Sequence, residues 1–247
     1  TLEVEAERVA WPSPFDPFEA LDVIDWGDVL IPHGHPTEVP AAIEAAMAHI
    51  LAAGVTPLAI GGDHFTTYPA MKALAAKLGQ PLAMVQFDAH TDTWADDDFS
   101  RIDHGTFMYK AVKLGYVDPA RSVQIGIRTD NPDTMGFRVL DAREVHREGP
   151  ETIAKRVRDI VERHPVYLTF DIDALDPAFA PGTGTPVWGG LTSHQAAVCL
   201  RELAGINLKG GDVVEVSPPF DTTGATAIAA AHVATELLCL WGWTRRD

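Results

Sequence analysis

The chain has 247 residues, which is enough to bury a substantial core and is typical of one α/β domain. Its 46% hydrophobic and 22% charged residues argue against a disordered chain. The formal net charge of -16 argues against a nucleic acid or an anionic membrane as a partner, because both bind basic surfaces. A cationic substrate or metal ions are compatible with this charge, and solubility alone explains it equally well.

The cysteine content and the hydropathy pattern bear on the compartment. Cys199 and Cys239 lie in apolar patterns of helical type and form neither a disulfide framework nor a Cys-x-x-Cys zinc motif, which favours a reducing compartment. No apolar run approaches the roughly 20 residues that span a bilayer. The N-terminal residues lack the basic and apolar pattern of a signal peptide. We therefore expect a cytoplasmic protein.

Strands and helices alternate in the pattern of the first half of the chain. Residues 1–20 are interpreted as irregular, and a short apolar run follows them. The spacing of apolar residues predicts a strand over 21–25, a helix over 40–53, a strand over 56–60, a helix over 67–78 and a strand ending at 88. Gly54 and Gly79 are predicted to end the two helices. An acidic loop follows to Asp103.

The same alternation continues through the second half of the chain. The pattern predicts a helix over 106–115, strands over 122–127 and 137–140, a helix over 153–161, a strand over 166–170, a helix over 193–204, a strand over 212–216 and a buried helix over 223–241. Alternating strands and helices predict a mainly parallel sheet covered on both faces, which is a three-layer α/β/α fold. Since no repeat or linker divides the chain, we expect one domain over residues 1–247.

Residues of metal-binding type follow four of the predicted strands. They are His64, the group Asp88, His90 and Asp92, the pair Asp171 and Asp173, and Glu215. Residues two apart on an extended backbone point to the same side, so Asp88, His90 and Asp92 converge if their strand continues through Asp92. Open parallel sheets bind ligands at the carboxyl ends of their strands. The sequence therefore predicts a ligand site at that edge.

The chemistry of these side chains favours metal ions. Carboxylates with some imidazole suit ions such as Mn²⁺, and the lack of thiolates argues against structural zinc. The ligands exceed what one ion with an open position needs, whereas two ions about 3.5–4 Å apart, bridged by carboxylates, use them naturally. The alternative is that the groups are helix caps and loop hydrogen-bonders. Three clusters at three strand ends favour the metal site.

The motifs of the chain resemble those of the arginase/agmatinase (ureohydrolase) family in order and spacing over nearly the whole sequence. They are GGDH at 61–64, FDAHTD at 87–92, TFDIDALDP at 169–177, PGTGTP at 181–186 and EVSP at 215–218. DHGT at 103–106 and SVQIGIR at 122–128 resemble the agmatinase branch more closely than the arginases. The resemblance implies an arginase-like fold. Family members normally begin with a further segment, holding a first strand and a Gly/Arg/Pro loop, after which this chain is expected to start.

The resemblance also implies a dinuclear manganese centre with a metal-bridging hydroxide, which hydrolyses agmatine to putrescine and urea. One Mn²⁺ ion would be bound by His64, Asp88, Asp92 and Asp171. The other would be bound by Asp88, His90, Asp171 and Asp173, with Asp88 and Asp171 bridging. The implied partner is a small cationic guanidino compound, and the implied assembly is a homo-oligomer, a trimer or a hexamer.

Three catalytic roles follow from the same resemblance. Glu215 would hold the guanidinium group as a charged partner, with support from Thr185. His104 would give a proton to the departing amine, since a positioned histidine is the usual source. Asp92 would relay the proton as well as bind metal.

Other functions compete with this interpretation. The same chemistry on another guanidino compound, such as 4-guanidinobutyrate, is the nearest alternative, and the acidic balance mildly favours dicationic agmatine. Arginase activity is disfavoured, because the loop residues that recognise an α-amino acid group are not matched. A catalytically weak metal-binding scaffold is a further alternative, although no ligand position is substituted. A metal-dependent deacetylase is remote, because one zinc ion needs fewer ligands.

Overall fold

The computed structural model of the protein describes residues 15–31 and 34–244. The predicted irregular conformation of residues 1–14 lies outside these ranges. The α-helices are α1 (Pro17–Ala20), α2 (Val39–Ala52), α3 (Thr67–Leu78), α4 (Phe107–Lys113), α5 (Ala142–Glu148), α6 (Pro150–Val161), α7 (Ser193–Arg201) and α8 (Ala225–Thr244). The strands are β1 (Leu58–Ile60), β2 (Ala83–Phe87), β3 (Val123–Ile125), β4 (Arg138–Leu140), β5 (Val166–Asp171) and β6 (Leu208–Val214).

These strands form one parallel sheet in the order β1-β6-β5-β2-β3-β4. All residues of the central strands β2 and β5 are buried, as expected for parallel strands covered on both faces. Phe87 pairs with Phe170, and Phe170 pairs with Val213. The carboxyl ends of β2, β5 and β6 therefore lie level with one another.

Side chains of the central strands alternate between two cores. Val85 and Phe87 pack into the core that includes residues of α6, α7 and α8. Met84 and Tyr167 pack into the opposite core, with residues of α2, α3 and α4. Successive residues of a strand point to opposite faces, so each buried strand contributes to both layers of helices. The predicted three-layer α/β/α fold with a parallel sheet is confirmed.

Helix ends follow local capping chemistry. Gly79 ends α3 in the left-handed conformation at φ 68°, which glycine adopts without steric cost. Helix α5, which the hydrophobic spacing does not predict, begins with a capping box. In that box Asp141 accepts from the Glu144 backbone N–H at 2.8 Å, and Glu144 accepts from the Asp141 N–H at 3.2 Å. This reciprocal pair satisfies two backbone donors at the start of the helix.

One predicted strand is absent, and the condition stated for the convergence of Asp92 is not met. Residues 21–25 form no strand, and Val23 and Ile24 are 45% and 75% exposed, because no neighbouring strand in the described residues pairs with them. Strand β2 ends at Phe87 and does not continue through Asp92. A different backbone conformation must therefore bring Asp88, His90 and Asp92 together.

Helix α8 is long and apolar enough to cross a membrane when judged by length and composition alone. The sequence prediction that no such apolar run exists is therefore wrong. The core helices of soluble proteins pass the same test, and 44% of the apolar window of α8 is buried in the fold. Val233, Leu237 and Leu240 of this helix belong to the hydrophobic core beside the sheet.

Candidate active site

The polar residues singled out in the sequence gather at the carboxyl edge of the sheet. His64 lies in a short 3-10 turn, His64–Thr66, that follows β1, and Asp88 directly follows β2. Asp171 is the last residue of β5, and Glu215 directly follows β6. These strands are neighbours in the order β1-β6-β5-β2, and all run parallel. The topology alone thus brings together residues that are up to 151 positions apart.

The most buried histidine of the site faces three carboxylates. The Nδ1 atom of His64 lies 3.1 Å from Asp88 Oδ2, 3.0 Å from Asp92 Oδ2 and 3.2 Å from Asp171 Oδ2. His64 is 1% exposed, and Nδ1 is a buried polar atom that makes no hydrogen bond of acceptable geometry. Its other ring nitrogen, Nε2, lies 2.9 Å from Thr169 Oγ1. A buried nitrogen aimed at carboxylates without hydrogen-bonding them is the arrangement of a metal ligand.

A second group of ligand type adjoins the first. His90 Nδ1 lies 3.0 Å from Asp173 Oδ2 and 3.4 Å from Asp88 Oδ1. Asp88 belongs to both groups, since its Oδ2 faces His64 and its Oδ1 faces His90. One carboxylate shared between two histidine-containing groups is the donor pattern of a dinuclear site.

Backbone conformation, not strand alternation, explains how Asp92 reaches this cluster. Asp92 has φ 54°, in the left-handed region, and Glu215 has φ 64°. Non-glycine residues in this region are uncommon, and the conformation costs about 1–3 kcal/mol when the surrounding structure imposes it. Such residues concentrate at functional sites. Asp92 Oδ2 lies 3.0 Å from His64 Nδ1 and so reaches the cluster, although the strand does not continue through Asp92.

The carboxylates disturb one another's protonation. Burial and the neighbouring charge of Asp88 raise the pKa of Asp92 to about 7. Burial and the charges of Asp173 and Asp88 raise the pKa of Asp171 well above its usual range. Burial also opposes ionisation of Asp88, but the imidazole rings of His64 and His90 beside it outweigh burial and hold the pKa of Asp88 below its usual range. Like charges at this spacing in a buried site are relieved either by protonation of a carboxylate or by cations among them.

The carboxylates also raise the pKa values of the two histidines. Burial alone would lower the pKa of His64, but the carboxylates of Asp171, Asp88 and Asp92 beside its ring raise it well above its usual value. Burial likewise lowers the pKa of His90, whereas Asp173 and Asp88 raise it to about 10. Both rings are therefore held in a field that attracts positive charge. The donor set of carboxylates and imidazoles, together with the orphaned Nδ1 of His64, fits two divalent ions.

The open side of the site contains Glu215 and His104. The backbone N–H of His64 donates to Glu215 Oε1 at 2.7 Å, which fixes the carboxylate next to the ligand cluster. His104 Nδ1 lies 3.0 Å from Asp63 Oδ2 and 3.4 Å from Glu215 Oε1. Hydrogen bonds to Asp63 and Glu215 raise the pKa of His104 to about 11. The protonated imidazole is thus stabilised beside a carboxylate.

A cavity of about 200 Å³ opens between these groups. Glu215, His104 and Trp94 form part of its wall, and the candidate ligands His64, His90, Asp92 and Asp171 line it as well. Thr185 also lines the cavity, but its hydroxyl donates to Asp173 Oδ2 at 3.3 Å. The expected support of Glu215 by Thr185 is therefore replaced by support from the His64 backbone.

Several residues behind the site were not predicted from the sequence. Gln86 donates to Asp88 Oδ2 at 2.7 Å, and Gln124 donates to Gln86 Oε1 at 2.8 Å. Asp212 accepts hydrogen bonds from the hydroxyls of Thr67, Tyr167 and Thr169. The signal available was a polar residue inside an otherwise apolar buried strand, because such a residue must find a partner.

Two further residues hold the loops of the site. Lys110 is completely buried, and its Nζ donates to Arg101 O at 2.6 Å and lies 3.1 Å from Asp96 Oδ2. These contacts fix the acidic loop that precedes His104. Arg128 donates to the backbone carbonyls of Asp173 at 2.6 Å and Val187 at 2.7 Å. It therefore ties the loop around Val187 to the backbone of Asp173.

A parallel sheet with a cluster of carboxylates and histidines beyond four neighbouring strands is the arrangement of an α/β metal-dependent hydrolase. Comparisons with known proteins agree with this class. Residues 2–239 match the Arginase family. The chain is 51% identical over 236 residues to the agmatinase of Chromobacterium violaceum, which covers 95% of this chain and 73% of that protein.

Solved structures give the same result. A hypothetical agmatinase from Burkholderia thailandensis has 52% identity and a TM-score of 0.96, covering 99% of this chain and 78% of the other. Proclavaminate amidino hydrolase from Streptomyces clavuligerus has 36% identity and a TM-score of 0.90, covering 96% of this chain and 80% of the other. The chain belongs to the arginase family of ureohydrolases, and within that family to the agmatinase branch.

Proposed function

We propose that this ureohydrolase is an agmatinase, which hydrolyses agmatine to putrescine and urea at a dinuclear manganese centre. The observation that carries the proposal is the pair of ligand groups sharing Asp88, next to the carboxylate of Glu215 in one cavity. The 51% identity to the Chromobacterium violaceum agmatinase supports the choice of substrate. The lack of thiolates among the donors supports manganese over structural zinc.

The contacts of the two histidines support an assignment of the ligands. We assign one ion to His64, Asp88, Asp92 and Asp171, because the imidazole Nδ1 lies 3.0–3.2 Å from all three carboxylates. We assign the other ion to Asp88, His90, Asp171 and Asp173. Asp171 Oδ1 accepts the backbone N–H of Asp173 at 2.8 Å, which holds these two carboxylates beside each other.

The reaction requires an activated nucleophile and an oriented substrate. A guanidinium group stays protonated, with a pKa above roughly 12, and water hardly attacks it. Two divalent ions held by these carboxylates and histidines would lower the pKa of a bound water towards about 7 and so would supply hydroxide at neutral pH. Glu215 pairs with the guanidinium and aims its carbon at the ligand cluster, since its own carboxylate is fixed by the His64 N–H.

The departing amine needs a proton, and His104 is placed to supply it. Its ring lies 3.4 Å from Glu215 and therefore next to the paired guanidinium group. The side chain of His104 is 48% exposed, so it exchanges protons with solvent between turnovers. Asp92, on the buried side of the cluster, relays the proton as well as binding metal.

The wall of the cavity favours a cationic substrate. Among the described residues, no Arg or Lys lines it, and the protonated imidazole of His104 is already paired with Asp63 and Glu215. The net charge of -16 adds long-range attraction for dicationic agmatine. The likeness to proclavaminate amidino hydrolase, at 36% identity, makes another amidino compound such as 4-guanidinobutyrate the second candidate substrate.

A side-by-side assay tests the proposal. Urea release is measured from agmatine, arginine and 4-guanidinobutyrate after loading with Mn²⁺, with Asp171→Ala as the inactive control. Turnover of agmatine that is lost in the control is the expected result. Preference for 4-guanidinobutyrate would keep the mechanism and change the substrate. Two bound ions with no urea release from any of the three compounds would refute the activity and favour a metal-binding scaffold.

We further propose that the enzyme is a cytoplasmic homo-oligomer, a trimer or a hexamer, as the family resemblance implies. Large apolar side chains such as Leu30, Trp188 and Phe220 are 90%, 87% and 62% exposed and offer contact area for neighbouring subunits. Sedimentation velocity over a range of protein concentrations tests the assembly. A single monomeric species at micromolar concentration would contradict it.

A further inference from the structure

A buried carboxylate behind the ligand cluster has no place in the mechanism above. Asp212 lies in β6, is 1% exposed and contacts hydroxyl groups instead of the candidate metal ligands. Tyr167 and Thr67 donate to its Oδ2, each at 2.7 Å, and Thr169 donates to its Oδ1 at 2.5 Å. Full desolvation of a carboxylate costs several kcal/mol unless hydrogen bonds compensate it, and here three hydroxyls do so.

The direction of these hydrogen bonds fixes the role of Thr169. A hydroxyl has one proton to donate and two lone pairs that accept. Thr169 uses its proton on Asp212, so towards His64 Nε2, at 2.9 Å, its oxygen can only accept. The proton of the neutral imidazole therefore lies on Nε2. The lone pair lies on Nδ1, the atom that faces Asp88, Asp92 and Asp171.

We propose that Asp212, acting through Thr169, is a positioning residue that fixes the tautomer of His64 and presents its Nδ1 to the first metal ion. The inference rests on the dinuclear centre proposed above. A ligating histidine commonly donates its second N–H to an acceptor that sets the tautomer and the ring orientation. Here the acceptor is the hydroxyl of Thr169. The carboxylate of Asp212 orients that hydroxyl by accepting its proton.

The packing around His64 supports the same role. The ring of Phe107 lies 4.7 Å from the imidazole, centroid to centroid, and closes one of its faces. The side chain of His64 is 2% exposed, so water does not replace Thr169 as the partner of Nε2. The side chain of His90 is 28% exposed, in contrast, and reaches the cavity. Loss of the Thr169 hydroxyl should therefore weaken the ion bound by His64 more than the ion bound by His90.

Two substitutions of Thr169 separate its hydroxyl from its shape. Thr169→Val keeps the branched shape but leaves His64 Nε2 without an acceptor, whereas Thr169→Ser keeps the hydroxyl. Binding of Mn²⁺ to the metal-free protein is measured by the electron paramagnetic resonance signal of the free ion. We expect two sites in the unmodified protein and in Thr169→Ser. In Thr169→Val, one site should weaken by about 10–100-fold and the other should stay unchanged.

Tyr167→Phe is the matched control for a purely structural effect. It removes another buried hydrogen bond to Asp212 but does not contact His64. It should therefore lower the melting temperature without changing either Mn²⁺ affinity. Circular dichroism of each metal-free variant verifies folding. Unchanged binding of two ions by folded Thr169→Val would overturn the inference, and so would an equal loss of affinity in Tyr167→Phe.

A second measurement needs no variant. With Zn²⁺ in place of Mn²⁺, the ¹⁵N spectrum of the histidine side chains reports which ring nitrogen of His64 carries the proton. A protonated Nε2 is expected, and a protonated Nδ1 would overturn the inference. Failure of the proposed function can be distinguished from failure of this inference. Two bound Mn²⁺ ions without urea release would refute the activity alone, whereas an unmodified protein that binds no Mn²⁺ would refute both.

Discussion

The two sides of the active site differ in how firmly their residues are held. On the buried side, His64, Asp88, Asp171 and Asp173 are at most 3% exposed, and hydrogen bonds from their own and neighbouring strands fix them. On the open side, the side chains of His104 and Asp63 are 48% and 55% exposed and pair with each other. The buried side is preorganised to hold ions, and the open side can exchange protons and substrate with solvent. Substitutions on the two sides should therefore fail in different ways.

The largest effect is expected for the carboxylate that both ligand groups share. Asp88→Ala removes a ligand from each of the proposed ions, so the site should lose metal and urea release should fall to background. The loss should exceed about 100-fold, since loss of a partner of a ligand alone costs about 10–100-fold. Elemental analysis and the urea assay measure both results. Asp173→Ala, which removes a ligand from one group only, should retain one ion. Retention of two ions by Asp88→Ala would contradict the assignment of Asp88 to both ligand groups.

His104→Asn tests the open side alone. The variant loses the proton donor, so kcat for agmatine should fall by about 10²–10⁴-fold, the usual contribution of a positioned acid. The asparagine amide can still donate to Asp63, and metal content should stay at that of the unmodified enzyme. Steady-state kinetics and elemental analysis measure the two results together. An unchanged kcat would remove His104 from the mechanism.

Glu215→Gln tests recognition of the guanidinium group. The amide oxygen can still accept the His64 N–H, so the ligand cluster should remain intact. Loss of the charged pairing should reduce kcat/KM by about 10–150-fold, because a hydrogen bond to a charged group contributes about 1.5–3 kcal/mol. The comparison of kcat/KM for agmatine in the two proteins measures this loss. A fall in metal content instead of substrate use would place Glu215 among the ligands.

The smallest predicted effect concerns stability on the buried side. Removal of the ions with a chelator leaves the buried carboxylates without counter-ions, and the melting temperature should fall. At an ion concentration about 100 times Kd, the lost free energy is about 2.7 kcal/mol for each ion, which corresponds to about 5–11 °C per ion in a protein of this size. Calorimetry before and after readdition of Mn²⁺ measures the shift. Asp88→Ala should show little shift on chelation, and an equal shift there would assign the effect to another site.

Much of this architecture could be predicted from the sequence, because regular hydrophobic periodicity was sufficient for it. Helix α3 begins and ends at the predicted residues, and the order of strands and helices agrees with the parallel sheet. The short apolar run at residues 21–25 was wrongly predicted to be a strand, since a strand forms only where a neighbouring strand completes its hydrogen bonds. Helix α5 was missed even though its capping box, Asp141 and Glu144, was present as a local signal.

The ligand residues were predicted to converge, but the reason for their convergence was not. The spacing of Asp88, His90 and Asp92 suggested an extended strand. In the structure β2 ends at Phe87, and the backbone of Asp92 adopts the left-handed conformation. Pattern arguments do not reveal such a conformation, because tertiary contacts impose it. Asp212 and Thr169 were missed for a related reason. Their partners come from other strands and are therefore distant in sequence.

The strand order also has a consequence for how the enzyme matures. β1 pairs with β6, so residues about 150 positions apart must meet before His64 and Glu215 become neighbours. Such non-local contacts form late and slowly during folding. Metal ions cannot nucleate this fold as they do in a zinc finger, whose ligands lie close together in sequence. Metal loading is therefore expected as the last step of maturation, on a sheet that is already assembled.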